Sequence, residues 1–66
     1  MSLSWKPKDP KILRSWLEAI EDEASDLLTD WENKFIASIR ERLDRSNPLT
    51  EYQEQKLEEI YAEKTS

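Results

Sequence analysis

Apolar residues return at helical spacing in three stretches of this chain, and each stretch is opened by a residue that caps helices. In the first, Ile12, Leu13, Trp16, Leu17, Ile20 and Ala24 recur every three or four positions, the spacing that puts side chains on one helix face. Asp9-Pro10 stands before them as an N-cap followed by proline at the first helical position, where a missing N–H costs nothing. Helix 1 is therefore predicted over Pro10–Ala24. In the second, Trp31, Phe35, Ile36, Ile39 and Leu43 follow Thr29-Asp30-Trp31-Glu32. That tetrad is a capping box, in which the threonine oxygen and the glutamate carboxylate each accept the other residue's backbone N–H. Asn47-Pro48 cannot continue a helix, so helix 2 is predicted over Asp30–Arg45. Thr50-Glu51-Tyr52-Gln53 repeats the box and opens helix 3, Glu51–Glu63, with Gln53, Leu57, Ile60 and Tyr61 inside and Leu49 and Tyr52 at the entry. Ser25–Leu28 fits either an extension of helix 1 or a short connection.

These elements imply an all-α, three-helix domain over residues 10–66 with an extended arm over residues 1–9. The short join between helices 2 and 3 favours an antiparallel hairpin, with helix 1 packed across it or swapped in a dimer. The expected core is Leu13, Trp16, Leu17, Ile20, Trp31, Phe35, Ile39, Leu43, Leu57, Ile60 and Tyr61. Leu27, Leu28 and Ile36 either close that core or face a second copy. Composition agrees: the chain has no glycine and no valine, which hairpin turns and strands favour, and is rich in good helix formers. With 66 residues the core is thin, which points to regular helix packing or oligomerisation as the source of stability.

Charge and residue chemistry narrow the function. Cysteine and histidine are both absent, which removes disulfides, thiolate and imidazole metal ligands and the commonest general base. A net charge of −5 opposes direct nucleic-acid binding, since the phosphate backbone is held by Lys and Arg. Arg40, Arg42 and Arg45 cluster at the end of helix 2, where cations complement the helix dipole. Arg40–Asp44 and Glu41–Arg45 are spaced to pair. Helix 3, the would-be reader in a helix-turn-helix, carries five glutamates against two lysines, the wrong sign for a DNA groove. No apolar run approaches the roughly 20 residues of a membrane span, and Met1–Pro10 lacks the apolar region of a signal peptide. A soluble, cytoplasmic protein is expected.

Glu18, Glu21, Asp22, Glu23, Asp26, Asp30 and Glu32 form an acidic stretch, but a calcium loop needs a glycine turn that this chain lacks. A solvated helix face is the expected role. The pairs Glu54/Glu58 and Glu59/Glu63 each share a helix face, yet acid–base catalysis requires a dry cleft that so small a bundle has little room to form. No enzyme, cofactor or metal site is expected.

Three tryptophans in so short a chain are the most informative feature. Trp16 and Trp31 fit inner faces, whereas Trp5 lies in the lysine-flanked, proline-bracketed arm. The pattern Leu28-Thr29-Asp30-Trp31-Glu32, Phe35, Ser38-Ile39, then Pro48-Leu49-Thr50, Gln53, Leu57 and Ile60-Tyr61 resembles a helical hairpin of small uncharacterised bacterial and phage-related proteins. That resemblance covers about half of the chain; it implies a fold and a phage-like origin, and no activity.

The leading expectation is an acidic helical protein–protein interaction module that docks a partner or a second copy. Its candidate contacts are Trp5, Ile12, Leu13, Trp16, Leu17 and Ile36, because the apolar arc of helix 1 is wider than one hairpin need cover. The alternative is an acidic accessory regulator that binds a basic nucleic-acid-binding protein by charge complementarity.

Overall fold

Capping chemistry sets where the helices begin. The computed structural model describes residues 6–65. The Asp9 carboxylate accepts the Lys11 backbone N–H at 2.8 Å and starts α1, Pro10–Glu23. Thr29 starts α2, Asp30–Asp44: its hydroxyl accepts the Glu32 N–H at 3.1 Å, and its own N–H donates to Glu32 Oε1 at 2.9 Å. Thr50 and Gln53 repeat the arrangement at 3.1 and 3.0 Å and start α3, Glu51–Lys64. The chain is a small all-α domain, with no strand among the described residues.

The helix ends required more than local reading. After α1 the Ala24 N–H still reaches the Ile20 carbonyl at 2.9 Å, and Ser25–Leu27 then winds into a 3-10 turn. Ser25–Leu28 is thus neither a clean extension of α1 nor an open loop. At the end of α2 the Ser46 N–H donates to the Leu43 carbonyl and the Asn47 N–H to the Arg42 carbonyl. Those two bonds are the Schellman pattern, which wants a left-handed residue at the position Ser46 occupies. Ser46 has φ of 59°. Glycine is the usual choice there; with none in the chain, serine accepts a penalty of roughly 1–2 kcal/mol.

α1 is the central element. It runs antiparallel to α2, since Arg14 meets Asp44 near one end and Glu21 meets Arg40 near the other. It runs parallel to α3, since Lys8 meets Glu54 and Trp16 stacks on Tyr61 with centroids 5.5 Å apart. Leu13, Leu17, Ile20 and Ala24 of this segment are buried with Ile36, Ile39 and Leu43 of α2, Leu49, and Leu57 and Ile60 of α3. α1 packs most closely on α3 and next on α2, while α2 and α3 approach each other mainly through long side chains. An antiparallel α2–α3 hairpin with α1 packed across it or swapped in a dimer was expected. The wide apolar arc of α1 packs against both helices and makes the closest contacts.

Of the expected core residues, three pack at its edge and one lies outside it. Trp31 is 51% exposed, and Trp16, Phe35 and Tyr61 are half-buried around the core. Ile36 takes the place on α2 assigned to Trp31, because the true inner stripe is Ile36, Ile39 and Leu43. The expected Arg40–Asp44 pair also rearranges. Arg40 donates two hydrogen bonds to Glu21, the Nε bond at 2.9 Å, while Asp44 pairs with Arg14 at 3.2 Å. The Glu21 carboxylate raises the Arg40 guanidinium further above its ordinary value. Glu41–Arg45 forms as expected, at 3.1 Å.

The first capping box carries a pH signature. The hydrogen bond from the Thr29 backbone holds the Glu32 carboxyl below the usual carboxylate range, and Lys64 adds to the effect at 3.7 Å. A group depressed in the folded state contributes stability above its unfolded pKa, and that stability is lost as pH falls through the folded value. Thr29→Ala is expected to cost about 1 kcal/mol at neutral pH. The Thr29 backbone N–H stays in that variant, so the pH dependence is read with Glu32→Gln, which removes the titrating group and should flatten the acid limb of the stability profile. Urea titrations of the original chain and both variants between pH 7 and pH 3 read both effects, and parallel profiles for the original chain and Glu32→Gln would show that Glu32 does not carry the pH dependence.

Candidate interaction surface

The residues that the sequence assigned to partner binding divide sharply. Leu13, Leu17 and Ile36 are 3%, 0% and 4% exposed and belong to the core, so they present no surface. Each lies on the inner stripe of its helix, and α1, being central, buries that stripe on two sides. Trp16 is half-buried, stacked on Tyr61 with the Lys8 ammonium 5.9 Å from its ring centre. Ile12 alone of the helical set is exposed. Trp5 lies outside the described residues.

The exposed aromatic surface lies elsewhere, along the outer seam between α2 and α3. Trp31, Phe35, Ser38 and Arg42 follow one another four, three and four positions apart on α2, which places them in one stripe. Tyr52, Lys56, Glu59 and Glu63 have the same spacing on α3. The two stripes meet where Lys56 reaches Trp31. The Lys56 ammonium sits 5.5 Å from the Trp31 ring centre, and the Arg42 guanidinium donates to the Pro48 carbonyl at 2.7 Å near the opposite end. The α1-facing residues, Arg40 and Asp44 on α2 and Glu54 and Tyr61 on α3, lie about half a turn round each helix from these stripes. α1 therefore closes one side of the α2–α3 pair and leaves the other open.

Trp31 is held firmly although half of it is exposed. Phe35 stacks on it with centroids 5.3 Å apart and planes within 10°, and Lys56 covers the ring from α3. Lys56 is itself tied to Glu59 at 3.3 Å. Tyr52, 61% exposed, lies one turn before Lys56 on the same stripe. An aromatic side chain fixed before binding loses little conformational freedom when a partner covers it.

Sequence reasoning missed this surface because α2 carries two apolar stripes about a quarter-turn apart. One continues into Ile39 and Leu43, the other into Ser38 and Arg42. The polar continuation was the available signal that Trp31 and Phe35 lie toward water.

Glu54 was also misplaced. Expected to share a helix face with the exposed Glu58, it is 2% exposed and lies on the inner stripe with Leu57 and Ile60. Its carboxylate accepts the Lys8 backbone N–H at 3.0 and 3.3 Å. It also sits in the first turns of α3, where the helix dipole favours a negative charge. Glu54 anchors the arm, and Glu58 beside it is exposed.

A cavity of about 300 Å³ opens between the start of α1 and the end of α2, lined by Pro10, Arg14, Leu43, Ser46, Asn47 and Pro48. Arg14, its one charged group, is already engaged by Asp44 and the Leu43 carbonyl. Among the described residues no three carboxylates converge as metal ligands, and no helix is long and apolar enough to cross a membrane. Comparison with protein-family models, with curated proteins and with solved structures gives no match.

Proposed function

We propose that this chain is a protein–protein interaction module that docks through the α2–α3 seam centred on Trp31. The observation that carries the reading is the held tryptophan, stacked on Phe35, with the Lys56 ammonium 5.5 Å from its ring centre and half its surface in water. A tryptophan held this way has the character of an interface hot spot, since hot spots are enriched in tryptophan, tyrosine and arginine. Tyr52 extends the surface, and Arg42, Lys56, Glu59 and Glu63 supply the polar rim typical of such contacts.

The test uses tagged full chain as bait in a lysate of the native host, with Trp31→Ser as the matched control. A partner, which includes the untagged chain itself, is expected on the original bait and at least tenfold less on the variant. The same proteins at the same levels on both baits would refute the seam.

A second reading rests on a different face. Glu18, Asp22 and Glu23 are exposed on α1 and make no ion pair among the described residues, and Asp26 follows them. They suit an acidic regulator that occupies the basic groove of a nucleic-acid-binding protein. Binding by that face weakens steeply with added salt, whereas binding through Trp31 changes little.

A further inference from the structure

We propose that the occupant of the α2–α3 seam is a second copy of this chain, an inference that rests on the seam being a docking surface at all. Charge distinguishes self-association from capture of a basic partner. The chain carries −5. Yet the two seam stripes hold Arg42 and Lys56 against Glu59 and Glu63, two charges of each sign. The seam is therefore neutral, and the entire net charge lies elsewhere. Two copies that repel over most of their surface meet with least cost where each is neutral. A basic partner would instead be drawn to a face such as Glu18, Asp22 and Glu23 on α1.

The arrangement of those charges is also self-complementary. In a two-fold contact every residue meets a position on the mate, and the mate returns the contact. Arg42 and Lys56 of one copy then face Glu59 and Glu63 of the other, and the Lys56–Glu59 bond inside each copy is exchanged for a bond between copies. Trp31 and Tyr52, both more than half exposed, are covered in the same step. Because α1 lies on the far side of the α2–α3 pair, docking by the open side brings two α2–α3 pairs together as a four-helix layer with each α1 outside. That layer adds to the core of a domain whose own core is thin for its surface.

Sedimentation equilibrium of the full chain, from micromolar to millimolar, tests the proposal. A reversible monomer–dimer equilibrium is expected. Trp31→Ala should weaken it roughly 30-fold, the scale of a hot-spot residue. Lys56→Glu and Glu59→Lys, each checked for an unchanged helical spectrum, should each weaken self-association. Mixing those two variants should restore a dimer, since one seam has become acidic and the other basic. Tyr52→Ala provides a second apolar probe if Trp31→Ala disturbs the fold.

A chain that stays monomeric throughout overturns the proposal. If Trp31-dependent capture of another protein persists in that case, the docking reading survives without this occupant. A dimer that is indifferent to the Trp31 and Lys56 variants but lost with Ile12→Ala would place the contact on α1 and overturn the proposal as well.

Discussion

Replacing Leu17 with alanine should leave the chain largely unfolded at room temperature. Leu17 is fully buried at the middle of α1, the helix that packs on both others. Deleting its isobutyl group removes apolar burial and leaves a cavity that the neighbours fill only partly, a change worth about 3–5 kcal/mol for buried leucines. A domain of this size has a total stability of only about 3–10 kcal/mol. The loss is therefore comparable to the whole. Leu27→Ala is the control: Leu27 is exposed in the 3-10 turn, and its removal should stay within about 0.5 kcal/mol. Urea titration followed by the helical circular dichroism signal compares them. Equal midpoints for the two variants would mean that α1 is not the centre of the core.

Glu54→Ala is expected to produce the second-largest loss. The Glu54 carboxylate is the partner of the Lys8 backbone N–H, and it is buried against the start of α1. A hydrogen bond to a charged group contributes about 1.5–3 kcal/mol. For so small a domain that corresponds to a fall in Tm of roughly 6–24 °C. The arm should loosen at the same time, so the Lys8 amide would exchange its hydrogen faster and the ammonium of Lys8 would leave the Trp16 face. Glu54→Gln keeps an acceptor oxygen without the charge and should fall between the two. Glu58→Ala, one turn further along on the exposed side, should change little. If Glu54→Ala and Glu58→Ala melt together, the carboxylate does not hold the arm.

Much of this fold was legible in the residues. α1 was expected to run to Ala24 and ends at Glu23; α2 was expected to Arg45 and ends at Asp44; α3 was expected to Glu63 and ends at Lys64. That agreement follows from the range of the forces involved. Asp9, Thr29 and Thr50 satisfy backbone groups two or three residues away, so their effect is written in the local sequence. The candidate interaction surface was much less legible. Leu13, Leu17 and Ile36 were read as contacts and are core, while Trp31 was read as core and is half exposed. Helical periodicity identifies apolar stripes but not which stripe meets a neighbour. On α2 two stripes were available, and the expected core drew Trp31 and Phe35 from one and Ile39 and Leu43 from the other.

Chain chemistry over a few residues therefore settled that there would be three helices, where each would begin, and that the molecule would be acidic and rich in tryptophan. The packing of α1 against both α2 and α3 settled the rest: the burial of Glu54 against the Lys8 backbone, the Arg40–Glu21 and Arg14–Asp44 pairs, and the open seam beside Trp31. Capping bonds close within one turn and need nothing beyond it. Which face of a helix stays wet depends on where the other two helices lie, and that information is spread over the whole chain.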